Sequence, residues 1–234
     1  MIFAAGMGTR LKPLTDIIPK ALVPVAGRPL LQQVIERLVD AGCDNITINV
    51  HHHAEQITNF INISRQHWKC NISISDETEQ LLETGGAIRK ATPLFIGYPI
   101  LIHNVDILSN VNLKDFYQSV GNADALLLVS ERKTKRYLVF DEDMRLIGWK
   151  NIETGEVKGN GNGRLLAFSG IHAIGKNLVD DMQTWPDRFP IIDFYLNRCL
   201  ERNILGYVQQ DLRLLDVGKL DTLAQAEDFI MHNS

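Results

Sequence analysis

Gly6, Gly8, Arg10 and Lys20 fall within one run, AAGMGTRLKPLTDIIPKALVPVAG from Ala4 to Gly27, directly behind an apolar segment, Met1 to Ala5, that predicts a short buried strand. Backbone N–H groups cradle a phosphate only where no Cβ blocks the approach and positive φ is cheap, which Gly6 and Gly8 provide. Arg10 adds a planar fork of donors, and Lys20, held between Pro19 and the stiff segment at Pro24, adds a compact point charge. Glycines alone would suit an ordinary strand-to-helix turn. With the two cations, they predict a polyphosphate site.

Two other phosphate signatures are excluded by the letters. No second glycine is followed by Lys and then Ser or Thr, as a Walker loop requires, and Leu11 stands where a dinucleotide fingerprint has its third glycine. Further along, Asp106 closes a strongly apolar stretch and Asp216 lies in the string LLDVG. Either aspartate alone reads as a helix cap or a metal ligand. As a pair they suit Mg²⁺, a hard cation that takes one or two carboxylates together with phosphate oxygens and water. His51, His52 and His53 are adjacent, so on a strand they point in alternating directions and do not converge on a metal.

Over these positions the chain resembles the sugar-1-phosphate nucleotidyltransferases, whose opening signature has the form GxGTRLxPLT followed by PK and PVxGxP. Here it stands as Gly6, Gly8, Thr9, Arg10, Leu11, Pro13, Leu14 and Thr15, then Pro19 and Lys20, then Pro24, Val25, Gly27 and Pro29. The likeness continues through ETGGAI (Glu83 to Ile88), HNVD (His103 to Asp106), FSGIH (Phe168 to His172) and LLDVGKLDTLAQAE (Leu214 to Glu227), covering essentially the whole chain.

The resemblance implies transfer of a nucleotidyl group from an NTP to a sugar 1-phosphate, with pyrophosphate leaving. The attacking phosphate is already anionic, so no enzyme nucleophile is needed; the protein must suppress repulsion and align the reactants. Implied nucleotide contacts are Ala5, Gly6, Gly8, Thr9, Arg10, Lys20, Glu83, Gly85 and Gly86. Implied sugar contacts are Asn104, Tyr137, Lys150, Ser169 and Gly170. Asp106 and Asp216 are the implied Mg²⁺ ligands, and Arg10, Lys20 and Asp106 carry the implied catalytic roles. The ETGG string resembles the uridylyltransferase form of the base site, with a small pyrimidine against Gly85 and Gly86. Together with the short single domain, it implies UTP, N-acetylmuramate 1-phosphate and a place in cell-wall recycling. The alternatives are a mannose- or heptose-1-phosphate guanylyltransferase and a nucleotide-sensing subunit without catalysis. The chain departs from the family pattern where Val105 interrupts an NGD-type string, where Leu138 follows Arg136 and Tyr137 in place of the glycine of RYG, and where Trp149 and Lys150 replace an EKP string.

The elements that must hold these residues alternate. Pro29 to Ala41 places Leu30, Leu31, Val34, Ile35, Leu38 and Val39 on one helical face and stops at Gly42. Strands are predicted at Asn45 to Val50, Asn71 to Ser75 and Pro99 to His103, with helices at Ala54 to Gln66 and Gly85 to Ala91 between them. This alternation predicts an α/β fold, a Rossmann-like and mostly parallel sheet flanked by helices on both faces. From Ala125 the pattern turns into β-like runs at Ala125 to Ser130, Tyr137 to Asp141, Leu146 to Trp149 and Leu165 to Ala173, which predict a mixed β lobe. Helices return at Asn177 to Thr184, Ile191 to Arg202 and Asp221 to Met231, the last capped by Asp221. GNGNG, Gly159 to Gly163, reads as a flexible loop. Ligands bind beyond the carboxyl ends of parallel strands, so residues 1–120 are expected to take nucleotide and residues 121–234 to close over a sugar, as two halves of one domain.

The 234 residues and 45% hydrophobic content fit that single domain. A formal charge of −4 argues against a nucleic-acid polymer as partner, and the one short basic run, Arg132 to Arg136, reads as a solvated loop. Cys43, Cys70 and Cys199 are odd in number and form no CxxC pair, which fits a reducing cytoplasm. Neither a leader nor an apolar stretch long enough to span a bilayer is visible, so no membrane partner is expected. Met1 already falls in the first strand, ahead of which relatives usually carry a few residues.

Overall fold

The computed structural model describes residues 1–231. In the first half, β1 (Ile2–Phe3) leads through the glycine loop to a small hairpin, β2 (Pro24–Val25) and β3 (Arg28–Pro29). There follow α1 (Leu30–Asp40), β4 (Asn45–Val50), α2 (Ala54–Ser64), β5 (Asn71–Asp76), α3 (Glu83–Ala91), β6 (Ile100–Asn104), β7 (Ile107–Ser109) and α4 (Leu113–Gln118). The second half runs β8 (Ala125–Ser130), β9 (Arg136–Phe140), β10 (Leu146–Asn151), β11 (Val157–Gly159), β12 (Arg164–Ile174), α5 (Lys176–Asp181), α6 (Ile191–Arg198), β13 (Ile204–Tyr207), β14 (Leu214–Asp216) and α7 (Leu220–Met231).

Ten strands form the main sheet. β5, β4, β1 and β6 are parallel neighbours in that order, with Ile2 of β1 in register with Ile48 on one side and His103 on the other. β12 joins antiparallel to β6, and through its first residues it carries the order on to β9, β10 and β11; β8 also pairs with β12, and β13 with β8. The expected parallel sheet and mixed lobe are therefore one continuous surface.

Alternation along each strand builds a core on either face. Leu101, Leu126, Leu128 and Ile171 face one core, closed by Leu31, Val34, Ile35 and Leu38 of α1, Ile57 and Ile61 of α2, and Phe116 of α4. Ile102, Leu127, Val129 and Ile174 face the other, closed by Ala87 and Ile88 of α3, Leu178 of α5, and Phe194 and Tyr195 of α6. Each fully buried Leu or Ile contributes about 1.5–3 kcal/mol through its removal from water.

Most expected elements appear within a residue or two of their expected ends. α6 stops at Arg198 rather than Arg202, and Asp221 lies inside the first turn of α7, which begins at Leu220, so it is not the cap. Short pieces without periodicity escaped the sequence reading: the β2–β3 hairpin, β7, α4, β11, β13 and β14. Of these, β7 and β14 matter most for the site.

His103 and His172 lie in the middle of this sheet, at 0% and 1% exposure. His172 Nδ1 shares a 2.6 Å hydrogen bond with the Tyr195 hydroxyl, and His103 Nδ1 lies 2.7 Å from the Asn104 carbonyl. Burial lowers both imidazoles from 6.5 to about 3. A base with a depressed pKa binds fewer protons folded than unfolded, so stability is full above pH 6.5 and is lost as pH falls toward about 3. Thermal unfolding across that window should therefore show a falling midpoint. His172→Phe should flatten the slope whatever it does to absolute stability; an unchanged slope would refute the assignment.

Candidate active site

The carboxyl ends of β1, β4 and β6 meet at one edge of the sheet. Leaving β1, Ala4 donates its N–H to Asn49 Oδ1 of β4 at 2.8 Å. Gly8 then takes φ 63°, and a Cβ there would lie 2.8 Å from Thr15 Cγ2, so conformation and space both demand glycine. Thr15 Oγ1 and the Leu11 N–H both donate to the Gly8 carbonyl at 2.8 Å. They fix the 3₁₀ turn Thr9–Leu11, from which Arg10 remains exposed. Nothing lies within 4 Å of a Cβ built on Gly6, the open approach that a phosphate needs.

Lys20 is 9% exposed, and its ammonium is ion-paired with the Asp106 carboxylate. Asp106 does not end the strand, as expected, but sits in the turn between β6 and β7. β14 pairs with β7, setting Asp216 opposite Ile107, while the Val217 N–H donates to the Asp106 carbonyl at 2.8 Å. This ribbon holds the two aspartates together although more than a hundred residues of chain separate them. The Asp216 carboxyl is pushed above the ordinary aspartate value of 3.8, first by burial and then by the Asp106 charge; Lys20, Arg10 and Arg132 oppose the shift. Its Oδ1 is buried and has no hydrogen-bond partner. A Cβ on Gly218 would lie 2.6 Å from that oxygen and 2.9 Å from Arg10 Nη2, so both side chains abut Gly218.

A cavity of about 250 Å³ links these groups to the base side, running from Ala5, Gly6 and Lys20 to Glu83, Thr84, Asn104 and Asp106. Val105 is 5% exposed and packs with the core, and it also lines this cavity. Asn104 lies instead against Gly170, where φ is 75° and a Cβ would stand 2.8 Å from Asn104 Nδ2. Ser169 is fully buried beside it, with its hydroxyl unpartnered.

Other residues stand differently from expectation. Gly85 and Gly86, read as leaving room for a base, leave room for protein: their Cβ positions would fall 2.2 Å from the Phe189 ring and 2.1 Å from the Asp187 carbonyl. Both N–H groups donate to the Phe189 carbonyl, at 2.8 and 3.3 Å. Glu83 does border the cavity, at a φ of 61° that is unusual for a residue with a side chain, and its carboxylate meets Arg188 at 3.0 Å. Tyr137 and Lys150 are cross-strand partners on one face of β9–β10, whereas Arg136 and Trp149 lie on the other. The Tyr137 hydroxyl accepts the Thr134 N–H at 3.0 Å.

Two residues that the sequence reading missed brace the cleft. Glu77, wholly buried, accepts from Asn49 Nδ2 at 2.8 Å and from the Leu82 N–H at 3.1 Å. Asn49 in turn holds Ala4, so one hydrogen-bonded chain joins the glycine loop to the start of α3. The available signal was an asparagine inside the apolar strand NITINV.

Residues 1–145 match the family described as nucleotidyl transferase, and the chain belongs to that family. It is 34% identical over 187 residues to N-acetylmuramate alpha-1-phosphate uridylyltransferase of Neisseria meningitidis serogroup B, across 78% of each chain. It is 41% identical over 107 residues to the Caulobacter vibrioides protein of the same name, a match spanning 45% of this chain and 44% of that one. Among solved structures, HddC from Yersinia pseudotuberculosis superposes with a TM-score of 0.78 at 23% identity, over 98% of this chain and 97% of that one. That is a likeness of fold.

Lys20→Ala should lower kcat/KM for nucleotidyl transfer by about a hundredfold or more, the usual cost of losing a preorganised charge. Asp216→Asn should abolish most activity yet raise the thermal midpoint in chelator, because it removes a buried charge with one oxygen unpartnered. A destabilised, active Asp216→Asn protein would contradict this account of the cleft.

Proposed function

We propose that the chain transfers the uridylyl group of UTP to N-acetylmuramate 1-phosphate. The observation that carries the reaction is the grouping of Lys20, Arg10, Asp106 and Asp216 at the mouth of the glycine loop. The choice of substrates is supported by likeness to the Neisseria protein, since Gly85 and Gly86 are taken up by packing and argue nothing about the base.

An oxygen of the sugar phosphate attacks the α-phosphorus of UTP; a P–O bond forms there as the bond to the β-phosphate breaks, and pyrophosphate carries away the electron pair. Arg10, with the backbone of Gly8 and Thr9, holds the β and γ groups. Lys20 has three donors, so it can keep Asp106 and still reach a phosphoryl oxygen on the reacting side. Ala5 and Gly6 border the nucleotide, with Glu83 and the first turn of α3 beside the base. Asn104, with Ser169 and Gly170 behind it, orients the sugar.

Asp106 and Asp216 fit a divalent cation, because the two carboxylates are near enough for the charge of one to raise the pKa of the other and a buried oxygen lacks a partner. When bound, Mg²⁺ would neutralise charge on the phosphoryl oxygens. Tyr137 and Lys150 lie on the face of β9–β10 opposite Trp149, and the reading needs neither of them. The cytoplasm is the proposed location, consistent with unpaired cysteines and with no helix among the described residues being long and apolar enough to cross a membrane.

Pyrophosphate release should be measured with each of the four NTPs against a panel of sugar 1-phosphates. The expected result is UTP with N-acetylmuramate 1-phosphate, abolished by excess chelator and restored by Mg²⁺. A tenfold preference for GTP, about 1.4 kcal/mol in transition-state binding, would replace this reading with a guanylyltransferase. Nucleotide binding without turnover of any pair would replace it with a sensing subunit.

A further inference from the structure

The basic run Arg132 to Arg136, read from sequence as a solvated loop, has its two arginines on a second cavity. This space of about 560 Å³ lies between the start of α6, at Pro190 and Ile192, and the face of β9–β10 that carries Arg136 and Trp149, with Arg132 and Phe168 on its border. It adjoins the catalytic cleft on two sides. Phe168 precedes Ser169 and Gly170, the latter packed on Asn104, and the Ile191 N–H donates to Thr84 Oγ1 at 2.9 Å.

Its charges are unevenly paired. Lys158 is engaged by Asp193 at 2.9 Å and lies over the Trp149 ring at 5.4 Å. Arg132 donates one Nη2 bond to the Phe168 carbonyl at 2.9 Å, which anchors the guanidinium and leaves its other donors available. Among the described residues neither Arg132 nor Arg136 has a carboxylate within ion-pair distance, and Glu156 is the one remaining acid on the cavity. Under the proposed function the reacting phosphates are served by Arg10 and Lys20, and the reach of Arg132 toward Asp216 shows how close this cavity comes to that cleft. A neutral sugar offers nothing anionic for a second cationic cluster to hold.

We infer that Arg132 and Arg136 read a carboxylate carried by the sugar, so that the cavity selects an acidic sugar 1-phosphate. The inference rests on the proposed function, under which that group is the lactyl ether carboxylate of N-acetylmuramate. A guanidinium presents paired N–H donors matched to a carboxylate, and a backbone-anchored arginine loses little freedom in doing so.

N-Acetylmuramate 1-phosphate and N-acetylglucosamine 1-phosphate differ only by the lactyl group, so the ratio of their kcat/KM values isolates that group, whose one charge is the carboxylate. With UTP, the wild type should favour the acidic sugar by at least about tenfold. In the Arg132→Ala/Arg136→Ala double variant, checked for folding by circular dichroism, that ratio should fall by about tenfold, toward one, with Arg132→Lys intermediate. A ratio unchanged by the double substitution, or a wild type that treats both sugars alike, overturns the inference. Failure of the uridylyl reading is separable. If GTP is the better donor the same ratio is measured with GTP. If neither amino sugar is used, glucuronate 1-phosphate is compared with glucose 1-phosphate: an acid preference lost in the double variant supports the arginine role, and preference for the neutral sugar overturns it.

Discussion

At Gly170 the longest strand of the sheet takes a φ of 75°, and its register with β8 jumps between Phe168 and His172. Beyond the break, β12 lies between β6 and β8; before it, the strand leads away to pair with β9 and carry the second lobe. A side chain at this point would stand 2.8 Å from Asn104 Nδ2 and 3.0 Å from Ile107 Cγ1. The residue that bends one sheet into two lobes is therefore the one against which the cleft asparagine rests. Ile107 in turn anchors the ribbon that delivers Asp216. Fold and site share this one steric requirement.

Two acids near the cleft, Glu77 fully buried and Asp216 half-buried with one buried oxygen, show how burial separates support from chemistry. Glu77 is raised by burial, yet each of its oxygens accepts a hydrogen bond, from Asn49 and from Leu82, and those bonds oppose the shift. Its demands are met within the protein, so it behaves as a brace between the glycine loop and α3. Asp216 is raised by burial and again by Asp106, and it keeps an oxygen without a partner. A native fold tolerates such a cost where a ligand relieves it. The comparison separates an acid whose hydrogen bonds are met within the protein from one that is not, without appeal to their positions in sequence.

The strongly periodic parts of the fold were legible in the sequence because alternation and helical spacing follow directly from which face is buried. The strands at Asn45–Val50 and Ala125–Ser130 appear with the boundaries expected of them. The loop from Gly6 to Lys20 was legible for a different reason: its residue types follow the family pattern, and at Gly8 the conformation and the space both demand glycine. What escaped notice depends on contacts distant in sequence. β7 and β14 are three residues each and gain meaning only from each other, so neither has a period to read. The glycines of ETGG misled because a missing Cβ is equally required by a base and by the Phe189 ring, and sequence cannot say which occupies the space. Adjacent Trp149 and Lys150 could not be told apart until the pairing of β10 assigned them to opposite faces.

A chain with formal charge −4 has to hold substrates that are more anionic still. The contradiction disappears at short range, because screening limits exposed charges to about 8 Å at physiological ionic strength, whereas charges inside a cleft act through less water. Under the proposed function a phosphate meets Arg10 and Lys20, and Asp106 is already paired with one of them. The same reasoning applies to the second cavity: Glu156 lines it and Arg132 acts on Asp216 from a distance, but among the described residues neither Arg132 nor Arg136 is ion-paired, so the guanidinium groups keep donors that an anion from solution can use.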